Sequence, residues 1–204
     1  MTADDPYVAG WRKASDWRAL RAKLALGSTT ELWEEAYEKY FMTRLRLRYM
    51  EPIGLLQASL GRQGEGFSIV AIQCTLVEFL ESTVQGINYK YKNPGSYEYS
   101  KSGDLFKSFL STRAPFMHEF SEALAEDFYM NVRCPLLHEA RTKNRWKIWG
   151  ASSTGNILDV AEKKLFRDNF QAAIVTFVND YKRLLLSSAA VQEAFVRKFE
   201  AICT

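Results

Sequence analysis

Asp127-Phe-Tyr-Met-Asn-Val-Arg133-Cys-Pro-Leu-Leu-His138 is the stretch on which the reading of this chain turns. It holds one of only two histidines, the other being His118, so proton transfer by an imidazole near neutral pH has few candidates. His138 follows Arg133 by five residues, which along an unbroken α-helix is a rotation of about 140°. The two side chains would then face different ways. Pro135 is expected to prevent this, because it disfavours helical backbone at Cys134 and suits the first position of a new helix. Arg133 would stand just ahead of a helix start, with His138 in the first turn. The guanidinium could swing toward the imidazole, and the positive end of the helix dipole would favour an anion. These features point together to a phosphodiester.

Upstream, apolar periodicity predicts a helix from about Phe116 to Tyr129 and a shorter one near Asp104–Ser111. Residues 88–103, rich in Tyr, Gly and turn formers, read as a loop that could stack on bases or serve only as a surface turn. Ile69, Val70, Cys74, Val77 and Leu80 belong to a stripe wide enough for a central, mostly buried helix. Gly61–Gly66 leads into it as a connector, without the Lys-Ser/Thr ending of a phosphate loop. Farther back, Trp33, Tyr37, Tyr40, Phe41 and Leu45 mark a helix capped by Thr29 or Thr30, and Pro52 is expected to bend or interrupt it. Residues 1–29 suggest an N-terminal helical extension.

Downstream, Arg145-Trp-Lys-Ile-Trp149 alternates at period two, and Asn156-Ile-Leu-Asp-Val160 follows a Ser-Ser-Thr-Gly turn signal. A small β-hairpin is predicted between them. A long helix then runs from Leu165 to Leu185, followed by a final helix in 186–204.

The 204 residues suit a single domain of ordinary size, and 47% hydrophobic with 25% charged residues is a globular composition. Three scattered cysteines, Cys74, Cys134 and Cys203, argue for reduced thiols rather than a disulfide framework or a zinc site. The N-terminus carries no basic flank followed by an apolar run, and no stretch of uninterrupted apolar residues is long enough for a membrane span. A cytoplasmic protein is expected. A net charge of +3 does not itself announce a nucleic-acid binder.

The run Phe128-Tyr-Met-Asn-Val-Arg-Cys-Pro-Leu-Leu-His-Glu-Ala-Arg-Thr-Lys143 resembles the motif region of the HEPN superfamily, whose signature is Arg-x4-6-His in an all-helical bundle. Gly64–Glu81 looks like a core helix of that group. The resemblance covers roughly residues 30–185 and implies an all-α HEPN-like bundle with the hairpin placed after the motif helix. It further implies cleavage of RNA by attack of the ribose 2′-hydroxyl, without metal or other cofactor, by a homodimer whose active site lies at the interface. Arg133 and His138 would be catalytic, in a toxin or anti-phage defence setting, with an antitoxin or defence protein as a candidate partner. A non-catalytic HEPN module that binds RNA, a nucleotide or a protein is the alternative.

Two positions depart from the family pattern. Cys134 stands where a polar residue often follows the arginine, and Ala140 stands where one subgroup has a tyrosine. Arg141, Lys143, Arg145 and Lys147 either line a path for the RNA backbone or form a solvated face. Glu78 and Glu81, one turn apart, either orient Arg133 or are ordinary paired carboxylates. His118 is read as structural.

Overall fold

The computed structural model describes residues 5–28, 30–59 and 64–204. Thr29, one of the two expected caps, lies outside the described residues, as do Leu60 and positions 61–63 of the expected connector. The chain forms two compact units. One comprises Met1–Glu51, Ser82–Ser100 and Asp180–Thr204; the other comprises Pro52–Glu81 and Lys101–Asn179. Helices dominate both, and the small sheets are two- and three-stranded.

In the first unit, the expected N-terminal helix is confined to Ala14–Arg21. An antiparallel strand pair, Tyr7–Ala9 with Arg12–Lys13, precedes it. Asp16 takes the Lys13 N–H at 2.8 Å and so closes the helix start. Trp17, fully buried, packs its ring against Tyr40 at 5.1 Å and Phe199 at 5.2 Å. The helix that begins at Thr30 widens into π-turns at Tyr37–Met42 and Arg46–Met50. Glu51 keeps helical dihedrals (φ −63°, ψ −47°), and Pro52 is the second residue of the helix Glu51–Ala58. The interruption expected at Pro52 is therefore absent, for a reason that recurs at Pro135 below. Ser188 caps the last helix, Ala189–Ile202, where buried Gln192 accepts the Gly27 N–H at 2.8 Å and donates to the Leu185 carbonyl at 3.0 Å.

In the second unit, Phe128 is the centre of the core. Its ring lies 5.3 Å from Trp146, 5.6 Å from Phe120, 6.0 Å from Phe106 and 6.2 Å from Phe170, and it is fully buried. The short helix runs over Ser102–Thr112, slightly longer than expected, and buries Leu105, Phe106, Phe109 and Leu110. Phe116–His118 is a separate 3-10 turn, and the next helix starts only at Glu122. The Ser121 hydroxyl decides that start by accepting the Leu124 N–H at 3.2 Å.

The sheet corrects the predicted hairpin. Lys147–Trp149 and Leu158–Asp159 do not pair with each other. Both pair with Lys164–Phe166, the first in parallel and the second antiparallel. Apolar periodicity places Leu165 and Phe166 at the start of the long helix that ends at Leu185, but the alternation of half-buried Lys164 and Phe166 about buried Leu165 is a strand pattern. The helix begins at Arg167.

Helix Glu65–Gln85 is long and apolar enough to cross a membrane by length and composition, yet 56% of its most apolar window is buried in the protein. Its polar residues are provided for as in a core helix. Glu81, fully buried, receives the Arg113 guanidinium at 2.8 and 2.9 Å, and the Gln73 amide donates to the Arg167 carbonyl at 2.9 Å.

Removing the central ring tests this packing. Phe128→Ala is expected to lower the unfolding free energy by about 3–5 kcal/mol, with Phe128→Leu costing clearly less, as read by urea titration. A Phe128→Ala loss below about 1 kcal/mol would contradict the central placement of the ring.

Candidate functional site

Pro135 does not break the helix. Arg133 (φ −61°, ψ −52°) and Cys134 (φ −64°, ψ −50°) are both helical, so the backbone continues from Glu122 through Glu139. The expected arrangement, with Arg133 ahead of a helix start and His138 in its first turn, is thus corrected. A proline within a helix offers no N–H to the carbonyl four residues earlier and crowds it. Here that carbonyl belongs to Asn131, inside the π-turn Tyr129–Arg133, where the wider coil relieves the crowding. The Lys143 N–H supplies the missing donor at 2.7 Å. It can do so because the helix ends in a left-handed residue, Ala140 (φ 53°), which turns the chain back.

On this continuous helix, Arg133 and His138 point about 140° apart. The Arg133 side chain is mostly buried. Its Nη2 donates to Glu78 Oε2 at 3.3 Å and approaches Ser102 Oγ at 3.5 Å, and the guanidinium lies 5.4 Å from the centre of the Tyr129 ring. His138 is exposed and makes no hydrogen bond or ion pair among the described residues. A single chain does not bring the two together. Of the two carboxylates considered for orienting Arg133, Glu78 does so and Glu81 is taken by Arg113.

Ser102, Tyr129 and Gly103 complete the setting of Arg133. A Cβ on Gly103 would come within 2.8 Å of the Tyr129 ring, so the glycine provides space for the aromatic wall. Burial raises the Tyr129 hydroxyl pKa, against the pull of Ser102 and Arg133, so the phenol stays neutral. Cys134 is half-buried. Burial pushes the Cys74 thiol up to about 12, which leaves it protonated and unreactive.

Asp127 was not singled out from the sequence, yet it organises the segment after the helix. Its carboxylate accepts from Trp146 Nε1 at 2.8 Å, Asn131 Nδ2 at 2.9 Å, and Lys163 Nζ and Asn144 Nδ2 at 3.2 Å each. Burial works to raise its pKa, but the Trp146 and Lys163 hydrogen bonds outweigh that, and the net shift is downward.

The four cations considered for an RNA path differ in their surroundings. Arg141 (2.6 Å) and Lys143 both grip Glu139, and Lys147 lies 3.5 Å from Glu162. Arg145 has no ion-pair partner among the described residues. Arg145, Lys147 and Lys163 border an open groove of about 400 Å³ with Trp146 and Glu162. His118 is exposed in its 3-10 turn. Cys74, Cys134 and Cys203 are free cysteines.

Comparison with known proteins finds no matching family model, no matching curated protein and no matching solved structure.

A depressed carboxyl pKa stabilises the fold above the unfolded value, about 4 for Asp, and that contribution is lost as pH falls through the lower folded value. Wild-type thermal stability should therefore decline below about pH 4 with a component that Asp127→Asn removes. Melting temperatures across that range provide the check. An equally steep decline in the variant would count against Asp127 as an acid-sensitive node.

Proposed function

We propose that this chain is a HEPN-type endoribonuclease that needs no metal and works as a homodimer in a toxin or anti-phage defence setting. The observation that carries the reading is the contrast along one helix between an anchored guanidinium and an open imidazole. Arg133 is held by Glu78, Ser102 and Tyr129, and both of its hydrogen bonds use Nη2. The rest of its planar fork is uncommitted among the described residues, the arrangement needed to donate to a phosphate oxygen while the residue stays in place.

In the proposed reaction, an imidazole removes the proton of the ribose 2′-hydroxyl as its oxygen attacks the adjacent phosphorus. The bond from phosphorus to the 5′-oxygen breaks, that oxygen takes up a proton, and the products are a 2′,3′-cyclic phosphate and a 5′-hydroxyl. The guanidinium stabilises charge on the non-bridging oxygens. With Arg133 and His138 about 140° apart on one helix, one chain does not supply the set. A second copy that presents its own Arg133 and His138 across a shared cleft does, and exposed His138 is free to face it. Arg145 and Lys147, beside the groove at Trp146, are the cations best placed to hold the flanking backbone.

One observation favours the alternative, a HEPN module that binds RNA, a nucleotide or a partner protein without cutting. The Glu78 carboxylate already offsets the Arg133 charge.

Incubation with mixed RNAs in EDTA separates the two. Wild type should cleave and leave cyclic phosphate ends, and His138→Ala and Arg133→Ala should each lose about 100-fold or more of the rate while keeping the wild-type circular dichroism spectrum. Cleavage that persists in folded His138→Ala would overturn the site assignment. Binding without cleavage would establish the alternative, and a cleaving monomer in sedimentation would overturn the shared cleft.

A further inference from the structure

The most exposed large apolar side chain described is Trp11, at 89%. Its exposure is built into the fold. The strands Tyr7–Ala9 and Arg12–Lys13 are joined through Gly10 and Trp11, and Gly10 has a left-handed φ of +58° suited to glycine in a tight hairpin. A Cβ at Gly10 would lie 3.2 Å from the Thr43 methyl and 3.3 Å from Leu47 Cδ1, so the turn backbone rests closely on the helix surface. Among the described residues, the aromatic partner of Trp11 is Tyr7, met edge-on with its centroid 6.1 Å away at an interplanar angle of 81°. Keeping an indole in water forgoes the stabilisation that burial would bring.

Beside Trp11 lies an open groove of about 840 Å³. Its basic side chains are Arg12, Lys23, Lys39 and Arg46, against the carboxylates of Asp16 and Glu35. Asp16 is engaged by the Lys13 N–H, Glu35 by Lys39 at 2.6 Å, and Arg46 pairs with Glu51 at 2.9 Å. Arg12 and Lys23 have no ion-pair partner among the described residues. A planar aromatic face next to uncompensated cations matches a ligand that alternates flat bases with phosphates. A purely apolar occupant is disfavoured, because it would strip water from these charges without pairing them.

We infer that Trp11, Arg12 and Lys23 form a stacking platform for single-stranded RNA. A base stacks on the Trp11 indole while Arg12 and Lys23 meet the adjoining phosphates. The choice of RNA rests on the ribonuclease reading above. The platform itself uses none of the residues assigned to cleavage, and it gives the RNA a hold of low sequence preference.

Binding of a labelled oligouridine to the His138→Ala protein, read by anisotropy and by quenching of indole fluorescence, tests the platform separately from cleavage. Trp11→Ala should weaken binding about tenfold or more and abolish the quenching, whereas Trp11→Phe should keep most of the affinity. Arg12→Ala and Lys23→Ala should each reduce the slope of log affinity against log salt by about 0.7. Unchanged binding in Trp11→Ala overturns the proposal. So does a variant whose sole change is a shift from dimer to monomer in sedimentation, because Trp11 would then be an interface between copies of the chain. If the platform fails while wild type still cleaves RNA, the ribonuclease reading survives; if binding follows the prediction but wild type does not cleave, that reading fails alone.

Discussion

A proline inside a helix leaves one carbonyl without a donor, and the way this chain supplies one shapes the candidate site. The Asn131 carbonyl, four residues before Pro135, takes the N–H of Lys143. For that bond to form, the helix must end soon after His138 and the chain must reverse, which the left-handed Ala140 allows. Continuity through Pro135 then sets the directions of the side chains. Arg133 faces Glu78 and Ser102, and His138 faces solvent. The division between an anchored cation and an open imidazole thus follows from one backbone hydrogen bond.

The reversed segment is held by a second polar node that works with the aromatic core. Trp146 packs its ring edge-on to Phe128 and donates its indole N–H to Asp127, one residue before Phe128 in sequence. The same carboxylate receives Lys163, just ahead of the central strand Lys164–Phe166. Burial alone would penalise such a charge. Four donors around it reverse the balance, and the depressed pKa records that reversal.

Much of this was legible in the residues, and the failures share a physical cause. The helical character and the buried helix that carries Val70 and Leu80 follow from apolar period, which is local. Spacing leaves both Glu78 and Glu81 open as partners of Arg133, and only the fold selects Glu78, 55 residues away. Pro135 and Pro52 mislead because a proline's local preference for ending a helix yields when the preceding turn widens. At Pro135, the donor that satisfies the freed carbonyl comes from beyond the helix end. The sheet misleads for a related reason. Each predicted strand was read as the neighbour of the next, whereas the strand between them in space is the last of the three in sequence. Asp127 was missed because its partners lie between 4 and 36 residues away, and no spacing rule joins them. Gly103 could have been noticed beside Ser102, but its role depends on the Tyr129 ring, which only the fold brings near.

The π-turn at Tyr129–Arg133 makes chain length, as well as residue identity, part of the site. A π-turn is in effect an α-helix with one residue too many, so loss of any one residue there would return the segment to ordinary winding. Everything on one side of it would rotate by about 100° relative to the other. Phe128 immediately precedes the π-turn and Arg133 is its last residue, and the core packing of one is thereby tied to the Glu78 contact of the other. In this helix a conservative change of side chain is a smaller event than a single deletion, and related chains would be expected to vary in letters here while keeping the count.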